Sequence, residues 1–250
     1  MLIFLFAAAF AAGFIDSIAG GGGLISLPVL MIAGIPPHVA LGTNKLQSVF
    51  GTFFATINYA RKDKVIWKAA LVGIPLALIG SALGAKLTLF ISVGLLAKIL
   101  IFLLPPATIL MFLSNSLMKE KNIKSSFSTR RLTAVAMVCF VIGLYDGFYG
   151  PGTGTFLIVL LVLVCRIPLI NASATAKTFN LASNIGAVIM FAIAGKIYYP
   201  TAIIMAVANI AGNLTGSSLA IKKGNMFVQR FVYLAIIILF VYLLFNYRNY

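Results

Sequence analysis

Acidic residues are nearly missing from this chain: four aspartates and glutamates stand among 250 residues, beside a single histidine. Two of the four, Asp63 and Glu120, fall in hydrophilic connections. A catalytic centre built on a nucleophile and base, or on clustered metal ligands, has almost no material to draw on. The chain is therefore not expected to be an enzyme, and neither a cofactor nor a metal is expected. Cysteine is as scarce. Cys139 and Cys165 sit in separate apolar runs without the paired spacing of a metal site, and read as packing residues. Charge of either sign is thin, 9% of residues against about 25% in a soluble domain, which leaves no room for a sizeable aqueous domain. A Walker-type loop is missing too, which argues against a self-contained ATP-driven pump. No Lys or Arg precedes the first apolar stretch, so that stretch is expected to be a retained helix rather than a cleaved signal.

Hydrophobic sequence fills the space these absences leave. Residues of hydrophobic type make up 62% of the chain, with a mean hydropathy of +1.09. The runs at 67–83, 99–113, 131–145 and 232–246 are continuous and rich in Leu, Ile, Ala and Val. Membrane barrels alternate apolar and polar residues instead, so these spans are helices. The net charge of +15 marks cytoplasmic loops rather than a nucleic-acid partner. The expected partner of such a surface is membrane lipid, with a homodimer as a further possibility.

The chain is written twice. At an offset of 132 residues "GIPPHVALGTNK" (34–45) lies over "RIPLINASATAK" (166–177), aligning Ile35 with Ile167, Pro36 with Pro168, Thr43 with Thr175 and Lys45 with Lys177. Lys64, Gly80 and Gly84 meet Lys196, Gly212 and Gly216 at the same offset. With a two-residue adjustment "GFIDSIAGGGG" (13–23) lies over "GLYDGFYGPGTG" (143–154), so each copy carries its own aspartate before a glycine cluster. The division is a first transmembrane repeat at 1–118, a cytoplasmic linker at 119–129 and a second repeat at 130–250. Each repeat reads as five hydrophobic pieces, 2–15, 23–34, 38–60, 66–88 and 92–114, then 131–146, 153–165, 170–194, 198–221 and 230–247. The basic connections 61–68, 114–131 and 222–230 can all be cytoplasmic, which puts both termini and the loop 194–200 outside. Because 61–68 and 194–200 are equivalent in the repeat, the two halves are expected to be inverted, as in many secondary transporters. The fold class expected is all-α, a polytopic membrane helix bundle of two inverted repeats, each with a broken or re-entrant helix at its glycine-rich motif.

A span needs about 20 residues, and the pieces 23–34 and 153–165 fall short of it. Glycine permits the positive φ of a break, and a helix opening at such a break offers N–H groups and a favourable dipole to an anion. Gly21, Gly22, Gly152 and Thr153 are therefore candidate substrate contacts, with tight helix packing as the plainer alternative. Packing is preferred for Gly80/Gly84 and Gly212/Gly216, each a G-x-x-x-G. Asp16 and Asp146 are expected to cap the breaks, or to carry protons.

Lys45 and Lys177 head polar stripes. Helical steps of three and seven lead from Lys45 to Ser48 and Thr52, and from Lys177 to Asn180 and Asn184. A lysine inside a span costs about 2.5–3.5 kcal/mol on insertion scales, so it normally faces a cavity or bundle interior. With Thr43, Asn44, Gln47 and Thr175 nearby, the two stripes suit a small oxyanion bound between the halves. The alternative is that each lysine snorkels to an interface or pairs with the neighbouring repeat's aspartate. Lys98 is expected to snorkel. His38 is expected to be a solvated loop residue, and Trp67 an interfacial anchor. Asn58, Asn209 and Asn213 could line the path or bond between helices.

In "GFIDSIAGGGGLISLPVL", "GIPPHVALGTNKLQSVFG" and the second-half "GLYDGFYGPGTGTFLIV" the chain resembles the sulfite exporter TauE/SafE family of membrane transport proteins over nearly its full length. The second copy departs from the first, Asn44 becoming Ala176 and Gln47 becoming Phe179. The resemblance implies transport of sulfonates such as sulfoacetate, or of sulfite, across the bacterial cytoplasmic membrane. An anion channel or a transporter of small carboxylates is the alternative.

Overall fold

Leucine- and alanine-rich sequence punctuated by proline and glycine folds into eight helices among the described residues of a computed structural model, which describes residues 2–92, 95, 128–224, 226–228 and 230. The helices are α1 Leu2–Ala19, α2 Gly23–Ile32, α3 Pro37–Ala60, α4 Trp67–Leu89, α5 Thr129–Phe148, α6 Thr153–Leu163, α7 Leu169–Ile193 and α8 Tyr199–Lys223. Nearly all of the expected pieces 92–114 and 230–247 and of the linker 119–129, with Lys98, lies outside the described residues. Pro36 and Pro168 stand at the N-caps of α3 and α7 with the same backbone, φ −57° with ψ 147° and φ −56° with ψ 144°. A proline fixes φ and spares a donor that the first helical turn could not use.

Among the described residues five helices are long and apolar enough to cross a membrane: α1, α4, α5, α7 and α8. The chain is a multi-pass membrane protein. At 24 residues α3 matches them in length but carries the Lys45 stripe. With 10 and 11 residues, α2 and α6 reach only about 15 Å at 1.5 Å per residue, half of a ~30 Å hydrocarbon core. Large apolar side chains point outward on the long helices, Leu71, Leu87, Val141, Ile203 and Val207 among them, whereas alanines, glycines, serines and threonines fill the interior. Water would punish such a surface; lipid accepts it, and small residues let backbones approach.

Helix contacts are reciprocal between the halves. The first helix of each half lies on the fourth of the other, α1 on α8 and α5 on α4, while α3 packs on α8 as α7 does on α4. A β-carbon on Gly80 or Gly84 would meet the Phe140 or Leu144 carbonyl on α5, and one on Gly212 or Gly216 would meet Phe10 or Phe14 on α1. Both G-x-x-x-G pairs thus serve helix crossings within this chain. Cys139 and Cys165 are buried and unpaired with each other.

Hydrogen bonds order the two ends of the bundle. Asn171 Nδ2 donates to the Lys64 carbonyl and Arg131 to that of Arg166, while Asn58 Nδ2 donates to Ser217 and Ser218 near the end of α8. The basic residues Arg61–Lys68, Arg130–Arg131 and Lys222–Lys223 therefore gather at one end. At the opposite end of α3, Thr43 Oγ1 accepts from Tyr198 N, which holds Lys196 there.

Two expectations change. His38 is not a solvated loop residue: it lies in the first turn of α3, 7% exposed, with Nε2 3.1 Å from the Thr88 carbonyl of α4. Asp16 and Asp146 do not cap α2 or α6, neither of which has a side-chain cap. Both aspartates belong to the last turns of α1 and α5, and each has a buried cation within reach.

Candidate functional site

Lys45 and Lys177 each occupy the ninth position of their helix, α3 and α7. Each reaches the aspartate of the other half. Lys45 Nζ lies 2.6 Å from Asp146 Oδ1, and Lys177 Nζ donates to Asp16 Oδ2 at 2.9 Å. Burial at this depth strips both partners of water, and a buried charge persists only when paired and hydrogen-bonded. The two pairs differ in their surroundings. Asp146, 1% exposed at its side chain, also accepts from Ser183 Oγ at 2.6 Å, whereas the Asp16 side chain is 15% exposed.

The glycine motifs meet between these pairs. Gly20 has φ +76° and Gly152 φ +83°, values that side-chain-bearing residues rarely adopt. After Gly20 the chain turns back, so that a β-carbon on Gly22 would press on the Ala12 carbonyl and Asp16 of α1. Gly20 and Gly154 touch backbone to backbone; a β-carbon on either would meet the main chain of the other. Thr155 fastens this crossing, its N donating to the Gly20 carbonyl at 2.8 Å and its Oγ1 to the Ala19 carbonyl at 2.7 Å.

A cavity of about 20 Å³ lies at the crossing, room for about one water. Its wall takes Asp16, Gly20, Gly22 and Gly23 from the first motif, Asp146, Gly150, Gly152, Thr153 and Gly154 from the second, and Asn44, Lys45, Ser48, Asn180 and Asn184 from α3 and α7. The N-termini of α2 and α6 both open on it, contributing positive dipole ends. Lys45 sits close against the second break, where a β-carbon on Gly150 would come within 2.9 Å of its Nζ.

Of the residues expected from sequence, Lys45, Asn44, Ser48, Asn180, Asn184, Gly22, Gly152, Thr153, Asp16 and Asp146 line this cavity. Lys177 is not among the lining residues. It lies behind Asp16, fully buried. Gly21 is buried in the turn but is likewise not on the wall. Thr43 and Thr175 form matching bonds, accepting from Tyr198 N at 2.9 Å and Ile66 N at 3.0 Å, each the residue that opens a fourth helix of the opposite half. Gln47 donates to Asn44 Oδ1 at 2.9 Å, and Ser26 donates to the same oxygen, which orients the Asn44 amide; Gln47 Oε1 is buried without a partner. Asn209 donates to the Ala9 carbonyl, so it bonds between helices, as Asn58 does. Ser183 and Ser26 escape sequence reasoning. The repeat equivalent of Ser183 is Gly51, so the alignment of halves gives no hint of it. Gly20, Gly23, Gly150 and Gly154 lie inside the recognised motifs, but nothing in their order singles out which glycines face a cavity.

Comparison with known proteins identifies the family. The family profile described as "Sulfite exporter TauE/SafE" matches residues 5–243. The chain is similar to "Probable membrane transporter protein ORF9" of Sinorhizobium sp, 38% identical over 230 residues, covering 92% of this chain and 87% of that one. It is also similar to "Probable membrane transporter protein YfcA" of Escherichia coli strain K12, 37% identical over 225 residues and covering 90% and 82%. A "Probable membrane transporter protein" of Haemophilus influenzae is 36% identical over 232 residues, covering 93% and 90%. No solved structure matches the chain.

Proposed function

Since this chain belongs to the sulfite exporter TauE/SafE family of membrane transporters, we propose that it is a secondary transporter of small sulfur-containing anions, sulfonates or sulfite, in the bacterial cytoplasmic membrane. The anion sits at the cavity where the two glycine breaks cross. The observation that carries this is a buried ammonium, Lys45, on a wall shared by two helix N-termini and the amides Asn44, Asn180 and Asn184. Ammonium, amide and dipole ends are the donors a sulfonate's three oxygens require. Both halves contribute to the wall, so rocking one half against the other would open it to alternate sides. A cavity with room for about one water must widen to admit such an anion, as alternating access demands.

Counterflow in proteoliposomes tests this. Vesicles loaded with unlabelled sulfoacetate should accumulate labelled sulfoacetate or sulfite transiently against its gradient, and acetate should compete poorly. Equal fluxes without counterflow would point to a channel; preference for acetate would point to a carboxylate carrier. Asn180→Leu should weaken sulfonate binding by roughly two- to twelvefold, the worth of one hydrogen bond of about 0.5–1.5 kcal/mol, while leaving insertion intact.

Orientation follows from the gathering of basic residues at one end, which is cytoplasmic by the positive-inside rule. Cysteines placed at 62 and 222 should resist an impermeant thiol reagent added outside, whereas one at 196 should react. Labelling of 62 and 196 from the same face would end the inverted-repeat arrangement.

A further inference from the structure

We propose that the anion is bound together with one proton, and that Asp146 is the carboxylate that takes it. This rests on the transport site assigned above. The cluster at the break holds Lys45, Lys177, Asp16 and Asp146, two positive and two negative groups in two ion pairs. As built it is neutral. A monoanion entering the cavity makes the cluster net negative in a setting shielded from water, where uncompensated charge is strongly disfavoured. One proton from solvent restores neutrality without moving any other charge.

The assignment to Asp146 comes from the asymmetry of the pairs. Lys45 lines the cavity and Lys177 does not, so Lys45 is the ammonium an anion can claim. Claiming it draws charge away from Asp146, whose remaining partner is the neutral Ser183 hydroxyl at 2.6 Å. Asp16 keeps Lys177 at 2.9 Å. Other charges around α5 give Asp146 no relief: Lys68 and Lys86 of α4 are exposed, α6 carries no charged residue, and Lys177 is the one charged residue of α7. On α3 the facing charge is Lys45, and on α1 it is Asp16, a like charge. A carboxylate left among a like charge and an incoming anion takes up a proton. The hydroxyl of Ser183 can turn to accept from the protonated carboxyl as readily as it donated before. In the balanced step the anion gains the ammonium, a solvent proton bonds to a carboxylate oxygen of Asp146, and the lysine keeps its own protons.

Titration calorimetry on the purified full chain in detergent, in buffers of differing ionisation enthalpy, counts the protons taken up. Methanesulfonate and ethanesulfonate are the probes; both are strong-acid monoanions across neutral pH, so any proton counted belongs to the protein. The expected result is an uptake near one proton per anion, with affinity falling by about tenfold per unit of rising pH where uptake is complete. Asp146→Asn, which copies the neutral carboxyl, should bind with no proton uptake and little pH dependence. Binding by the wild-type chain without uptake would overturn the proposal and leave the transport site standing. So would an uptake that persists in Asp146→Asn. Should that variant fail to fold, Asp16→Asn decides the assignment: uptake near one proton that persists there supports Asp146, and uptake abolished there overturns it. Failure of methanesulfonate, sulfoacetate and sulfite to bind at all would overturn the site itself, and this proposal with it.

Discussion

Lys45→Met is expected to destabilise the protein by about 3–5 kcal/mol, because it leaves Asp146 as a buried charge without a counter-ion. The residue at stake is 2% exposed and lies 2.6 Å from its partner. Adding Asp146→Leu should recover most of that loss, since a buried ion pair replaced by apolar residues is often neutral or even stabilising. Transport should fail in both variants. Thermal unfolding in detergent separates the two contributions: stability returns in the double variant, whereas sulfonate binding does not. A double variant that still binds sulfonate would reduce Lys45 to a structural tie. The corresponding changes at Lys177 and Asp16 carry a different expectation. Lys177 is not on the cavity wall but behind Asp16, so the double variant Lys177→Met with Asp16→Leu should keep part of its anion affinity while losing its own ion pair.

Gly20→Ala is expected to cost about 2–6 kcal/mol and to prevent accumulation of folded protein. Two penalties coincide. The positive φ of +76° contributes about 1–3 kcal/mol for a residue with a side chain. The new methyl must also displace the main chain of Gly154 and Thr155, an overpacking of about 1–3 kcal/mol or more. Gly34→Ala supplies the control, since φ there is +83° but nothing lies within 4 Å. It should cost no more than the backbone strain alone, roughly 1–3 kcal/mol. Folded yield and melting temperature for the two variants measure the difference, which is the contribution of the crossing itself. Equal effects would mean that the two breaks can separate freely. A β-carbon on Gly84 would strike the Leu144 carbonyl, so that helix-packing position is as short of space as Gly20.

Much of this architecture was legible in the residue order. Hydropathy and the near-absence of charge established a helical membrane protein, because lipid leaves the backbone few other ways to satisfy itself. The internal repeat located Lys45 and Lys177, Thr43 and Thr175, and the two aspartates, and these equivalent residues do form matching contacts. Periodicity from each lysine reached Ser48, Asn180 and Asn184, all on the cavity wall. Helical spacing is a local property, which is why it could be read without a fold.

Pairing of each lysine with the other repeat's aspartate stood in the sequence only as an alternative to an anion-facing role, and the structure shows that it occurs. Asp16 and Lys177 are 161 residues apart, and two aspartates beside two lysines allow more than one pairing. Helix ends were read a little short: the pieces expected to end at 15 and 146 continue to Ala19 and Phe148, so that Asp16 and Asp146 are both helical. The repeat also implied that the lysines are equal, but only Lys45 faces the cavity. Symmetric sequence permits an asymmetric site, since side chains that differ between copies, such as Ser183 against Gly51 and Asn44 against Ala176, decide which ion pair is clamped and which is open. Composition, periodicity and repetition thus determined the class of the protein, its helices and the residues that matter. The tertiary structure alone decided which charges meet, because the energy of a buried charge depends on the few ångströms around it, and that distance is set by the crossing of two glycine breaks from opposite halves of the chain.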